Sequence, residues 1–229
     1  MWQFLSLGIL IIAVILFQEL RRRKLLKTVT SPRRGTRTER ELVLTLLKRG
    51  IPAITIFHDL YVKQTNGKYS QIDVAVATKV GIIVFEVKKY NGWIFGDGRY
   101  QRWTQVLNYG KEKHRFYNPI KQNTTHILRL KAQLPQFENI PFYSVVVFYG
   151  NCELKDISFV PEGTWIVKDR KVRKVLKHIL KTNEPAPYAD KHAVVRVLRE
   201  AVKNGENPEV QAQHTAHIKD MLGKHRIFD

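Results

Sequence analysis

At 229 residues, 44% apolar and 10% aromatic, the chain holds enough material for one globular domain with appendages and is too apolar for wholesale disorder. Its net charge of +19, from 39 Lys/Arg against 20 Asp/Glu, favours polyanions, whether nucleic acid or an anionic membrane surface, with a solubilising charged surface as the plain alternative. A single cysteine, Cys152, excludes an intrachain disulfide and fits a reducing compartment.

Residues 4–17 are almost wholly apolar, broken only by Ser6 and Gly8. A helix of that length spans roughly 21–24 Å, short of a hydrocarbon core of about 30 Å. Trp2 at one interface and Arg21-Arg22-Arg23-Lys24 at the other would extend its reach. The run has neither the basic start nor the small-residue cleavage site of a signal peptide. It reads as an uncleaved single-pass transmembrane helix over residues 1–20. Basic residues after the apolar run place the C-terminal domain in the cytoplasm, at the cell membrane. Residues 21–37 read as a basic juxtamembrane linker against anionic headgroups, interrupted by Ser31-Pro32 and Gly35.

Leu42, Leu44, Leu46 and Leu47 mark a helix, with Thr38 and Glu41 spaced as a capping box. Glu39 complements the dipole of its first turn. Residues 54–58 read as a strand ended by loop residues His58-Asp59, and Asn66-Gly67 as a turn. Residues 71–88 then form two β-branched apolar runs around a Gly-containing turn, a β-hairpin. Asp73, Glu86 and Lys88 interrupt these runs, and buried charges are costly unless paired or metal-bound. Glu86 and Lys88 point to one face by strand alternation. With the turn centred on Lys79-Val80, Thr78 pairs with Gly81 and Asp73 lies opposite Glu86. Two carboxylates suit Mg²⁺, and a neighbouring lysine can orient water or stabilise charge on a phosphate.

Asp97-Gly98 predicts a second hairpin turn. Around it Trp93, Phe95, Tyr100 and Trp103 either pack the sheet or stack bases. Lys111, Lys113, His114, Arg115 and Lys121 form a run that either tracks a backbone or is a solvated face. Asn118-Pro119 starts a helix as N-cap and first-turn proline, running to about residue 134. Gln122 and His126, four apart, share one side of it. Strands follow at 143–149 and 164–167, then helices near 170–181, 191–202 and 208–222. His214 and His217 lack the neighbouring ligands a metal site needs, and Cys152 reads as structural.

Asp73 followed by Glu86-Val87-Lys88 resembles the D…(D/E)-x-K signature of restriction-endonuclease-like nucleases. Five blocks in order strengthen the likeness: Gln71-Ile72-Asp73, the stretch from Gly81 to Lys88, Gly92-Trp93-Ile94-Phe95-Gly96, Trp103-Thr104-Gln105, and Asn118-Pro119-Ile120-Lys121-Gln122-Asn123. Together they resemble the NERD (nuclease-related) domain over about half the chain. The resemblance implies an α/β, restriction-endonuclease-like fold, a mixed sheet flanked by helices. Here it would occupy 38–150, behind the anchor and ahead of a C-terminal strand and helical extension at 151–229. It also implies hydrolysis of phosphodiester bonds in DNA or RNA with Mg²⁺ or Mn²⁺ as cofactor. Asp73, Glu86 and the Val87 carbonyl would hold the metal, Lys88 would activate water, and Gln122 and Glu39 would assist. The rival readings are a catalytically silent module tethering nucleic acid at the membrane, and a structural protein whose charge serves lipid contact.

Overall fold

The structure, a computed structural model, describes residues 2–226, with the side chains of 2–6, 9, 217 and 219–226 outside what is described. Its centre is a five-stranded mixed sheet. β1 (Ile56–Lys63), β2 (Tyr69–Thr78) and β3 (Gly81–Lys89) form an antiparallel meander, with β7 (Phe142–Tyr149) and β9 (Thr164–Lys168) added in parallel beyond β3. Period-two alternation gives the sheet two apolar faces. Val74, Val76, Ile83 and Phe85 pack on α2 (Arg37–Leu47) and α4 (Val172–Thr182). Ala75, Ile82 and Val84 pack on α3 (Pro119–Lys131) and α5 (Lys191–Asn204). The central hairpin has the predicted register, with Thr78 opposite Gly81 and the ladder running out to Val74 opposite Phe85.

A second sheet of four strands was not legible as such in the sequence: β4 (Gly92–Asp97), β5 (Arg102–Leu107), β6 (Glu112–Tyr117) and β8 (Cys152–Ser158), in the order β6-β5-β4-β8. β6 and β8 are polar edge strands without an apolar period, so they gave no strand signal. The Asp97-Gly98 turn is a four-residue connection over 98–101 rather than a tight pair. The aromatics divide. Trp103 is buried and stacks on Phe148 with ring centroids 6.2 Å apart, whereas Trp93 and Phe95 lie on the other side of the sheet. Cys152 packs at the edge of the same small core, its Sγ 3.2 Å from Lys168 Nζ.

The N-terminal helix α1 (Trp2–Leu26) runs straight through Arg21-Arg22-Arg23-Lys24 instead of ending before them. Leu10, Ile11, Ile12, Val14, Ile15, Leu16 and Phe17 are exposed. Among the described residues no helix is long and apolar enough to cross a membrane. Trp2 and the other N-terminal side chains of the expected anchor fall outside the described set. The end of α1 is part of the domain: Leu26 and Val29 pack against the core and Arg22 Nη2 lies 3.7 Å from Glu41 Oε1. At the C-terminus α6 (Pro208–Arg226) sets His214 edge-on to Tyr61, its Nδ1 3.1 Å from the Tyr69 carbonyl, while the His217 side chain lies outside the described residues.

Candidate active site

β3 passes through the middle of the sheet with Ile82 and Val84 facing α3, so Glu86 and Lys88 project to the same face. Glu86 is buried. Its Oε1 is 2.6 Å from Lys88 Nζ, and Lys88 Nζ also donates to Gln122 Oε1 at 2.9 Å. Gln122 arrives because Asn118 caps α3, its side chain accepting from the Ile120 amide, with Pro119 in the first turn. One turn on, His126 Nε2 lies 3.3 Å from Glu86 Oε2, at ion-pair distance but off hydrogen-bond alignment. His126 Nδ1 meets Ser70 Oγ at 3.0 Å, and Arg129 Nη1 donates to that hydroxyl at 2.7 Å.

Asp73 sits where β2 leaves β3. Val74 and Val76 face one side of the sheet and Ile72 the other, so alternation slips at Asp73. Asp59, at φ +57° in β1, makes the matching kink. The carboxylate of Asp73 turns into the resulting gap and accepts the Val87 amide at 2.7 Å. Burial and the negative charges of Glu86 and Glu39 push its pKa well up, against Lys88 and the Val87 N–H. Burial also opposes ionisation of Glu86, but Lys88 and His126 outweigh it and hold its pKa below the usual range. Lys88, despite burial, is raised by Glu86 and Asp73.

Glu39 reaches this cluster from the opposite side. The N-cap of α2 is Thr36, not Thr38: its side chain accepts from the Glu39 amide at 3.3 Å and donates to Glu39 Oε1 at 2.6 Å. Glu41 pairs instead with Arg37. The other oxygen, Glu39 Oε2, lies 3.3 Å from His58 Nε2, and His58 Nδ1 meets Thr30 Oγ1 at 2.7 Å. Burial opposes the Glu39 charge, yet His58 and Thr36 hold its pKa down. Gly35, at φ +57°, is required here, since a Cβ would come within 2.3 Å of Glu39 Oε2.

His58 and Asp59, expected as loop residues from the sequence, are both buried inside β1. Asp59 Oδ2 accepts from Arg34 Nε at 3.1 Å and its Oδ1 from Gln71 Nε2 at 2.8 Å. Arg34 also donates to the carbonyls of Asp59 and Val202. The segment between α1 and α2 is therefore built into the domain. Thr30, Ser70 and Arg129 carried no signal in the sequence, because their partners lie 28 to 59 residues away. Glu86, Lys88 and Gln122 are joined near the end of β3, and Asp73 is held there by the Val87 amide; the contacts of Glu39 are to Thr36 and His58, and its charge acts on Asp73.

Residues 34–149 match the family described as the nuclease-related domain, NERD. The chain belongs to that family. An uncharacterized protein of Bacillus anthracis is 25% identical over 178 residues, covering 74% of this chain and 76% of that protein. No solved structure matches the chain. Every block that carries the family likeness lies in β2 through α3, so the NERD match and the carboxylate cluster occupy the same part of the fold.

Proposed function

We propose that this NERD protein is a membrane-tethered nuclease with a restriction-endonuclease-like core, hydrolysing phosphodiester bonds with Mg²⁺ or Mn²⁺. The observation that carries the reading is Asp73, Glu86 and Lys88 gathered at the point where β2 parts from β3. The donor set fits a hard divalent cation. Glu86 Oε2 is buried without a hydrogen bond, and Asp73 is crowded by two further carboxylates whose repulsion a cation relieves. The Val87 N–H points at Asp73, so its carbonyl faces the same side, vacated by β2. Among the described residues no three His, Cys, Asp or Glu side chains form a metal-holding group. The ligands we assign are Asp73, Glu86 and the Val87 carbonyl, a set that suits Mg²⁺, an ion that keeps most of its waters.

When bound, the cation supplies Lewis-acid chemistry at the phosphate. Lys88, fixed between Glu86 and Gln122, orients the attacking water and offsets negative charge on the phosphate oxygens. His126 holds Glu86 in place from α3. Glu39, whose negative charge acts on Asp73, assists. The exposed apolar stretch of α1 seats in the bilayer, with Arg21 to Lys24 at the cytoplasmic headgroups. A reporter fused after Asp229 is expected to behave as cytoplasmic.

A second reading, a silent module that tethers nucleic acid at the membrane, is favoured by one contact: Lys88 Nζ lies 2.6 Å from Glu86 Oε1 and offsets its charge. Metal-stripped protein incubated with single- and double-stranded DNA and RNA decides between them. Cleavage that appears with Mg²⁺ or Mn²⁺ and stops with chelator supports the nuclease. Salt-dependent binding with no cleavage of any substrate supports the tether.

A further inference from the structure

The four-stranded sheet has two unlike faces. Ile94 and Trp103, with Phe116 and Leu154 beside them, look inward and build a small core on Phe148 and Ile120. Alternation sends Trp93 and Phe95 to the other face, and neither ring joins any core cluster. By register Trp93 is followed across the sheet by Val106 and Lys113, and Phe95 by Thr104 and Arg115. Each ring therefore leads to a cation on the β6 edge. Lys113, Arg115 and the nearby Arg102 are exposed, and among the described residues they pair with no carboxylate. On the β8 side Lys155 Nζ lies 5.4 Å from the Trp93 ring and 2.8 Å from Glu153. Glu153 and Asp156 stand opposite Trp93 and Phe95 on that edge, so acidic groups collect at β8 and free cations at β6.

We propose that this outer face is a binding platform for single-stranded nucleic acid, distinct from the carboxylate cluster. Bases stack on Trp93 and Phe95, and the phosphates run along Lys113 and Arg115. Two ring–cation rows about 6.6 Å apart along the strands match a repeating ligand of base and phosphate. A duplex hides its base faces inside the stack and gains nothing from the rings. An acidic peptide or a lipid headgroup would use the cations and leave Trp93 and Phe95 idle. The platform rests on the nuclease reading only for its purpose, which is to retain the strand presented to Asp73 and Glu86; binding itself does not require cleavage.

The test uses full-length protein in detergent, in a Glu86→Gln background so that the probe survives. Anisotropy is read on fluorescein-labelled 20-mers of single-stranded DNA, single-stranded RNA and duplex DNA. Trp93→Ala and Phe95→Ala are each expected to weaken single-strand binding roughly tenfold and leave duplex binding nearly unchanged. Trp93→Phe keeps a ring and is expected to retain most of the affinity, which separates stacking from misfolding; thermal melts of each variant check the fold. Lys113→Ala/Arg115→Ala is expected to lower the salt slope of log K for a single strand by about 1.4. Ring variants that melt like the parent yet bind a single strand as tightly overturn the platform. So does a loss confined to the Lys113/Arg115 variant, or a change of oligomeric state in the ring variants, which would mark the face as a contact between copies. Ring-dependent binding by a wild-type chain that never cuts keeps the platform and discards the nuclease.

Discussion

Two buried carboxylates flank Asp73, and each leans on a histidine whose other nitrogen meets a hydroxyl. Glu86, His126 and Ser70 form one set; Glu39, His58 and Thr30 form the other. Both Glu–His contacts measure 3.3 Å. Their supports differ. The Glu86 set is made wholly from β2, β3 and α3, and it alone includes Lys88 and Gln122. The Glu39 set depends on Thr30, Gly35 and Thr36, from the segment that joins α1 to the domain. Similar local chemistry thus has two settings: in the proposed nuclease the first set arms the site, whereas the second locks the N-terminal segment to the domain.

The largest separation between the two sets is expected from Lys88. Lys88→Ala strips the first set of its cation and leaves the second untouched, and metal-dependent cleavage is expected to fall by on the order of 10²–10³ in single-turnover assays. His126→Ala and His58→Ala compare the sets directly. Each leaves a buried carboxylate short of a partner, so each is expected to destabilise by about 3 kcal/mol in urea titration. His126→Ala is then expected to slow cleavage by more than tenfold at saturating metal, and His58→Ala by only a few-fold.

Asp73 sharpens the comparison through pH. Glu86 and Glu39, held below their usual 4.5, contribute stability that is present at neutral pH and lost as pH falls through their folded values. Asp73 has the opposite sign: raised above 3.8, it is a cost that grows as pH rises past that value. Metal-free Asp73→Asn is therefore expected to melt above metal-free wild type at pH 7, with the gap closing toward pH 4. Adding Mn²⁺ is expected to raise the melting temperature of wild type and not of Asp73→Asn. The smallest effect is assigned to Thr30→Val, which removes one buried hydroxyl contact from the second set. About 1 kcal/mol of stability is expected to go, with the cleavage rate nearly unchanged.

The central hairpin was legible because β-branched runs fix its period and a two-residue turn fixes its register, so Glu86 and Lys88 could be placed on one face from spacing; Asp73 lies one step beyond the paired ladder, where alternation slips, and takes its orientation from the Val87 amide. The N-cap of α3 was legible for a similar reason, Asn-Pro being a local signal. What escaped depends on distant partners. His58 reads as a strand-end residue until Thr30 and Glu39 are seen on either side of its ring. Thr38 satisfied the spacing of a capping box, yet Thr36 is the residue whose hydroxyl meets the free amide of Glu39. The second sheet was not legible because its edge strands are mostly polar, with only Phe116 on β6 and Cys152, Leu154 and Ile157 on β8 turned to the core, and take their conformation from pairing with β4 and β5.

Glu86→Gln tests the central claim most directly. The substitution is nearly isosteric, removes one negative charge from the proposed metal site and leaves the basic surface intact. Cleavage of a labelled oligonucleotide with Mg²⁺ or Mn²⁺, and salt-dependent binding of the same oligonucleotide, are measured side by side on wild type and variant. The account predicts that metal-dependent cleavage is lost while binding persists or tightens. Cleavage by Glu86→Gln at the wild-type rate and with the same metal dependence would contradict it.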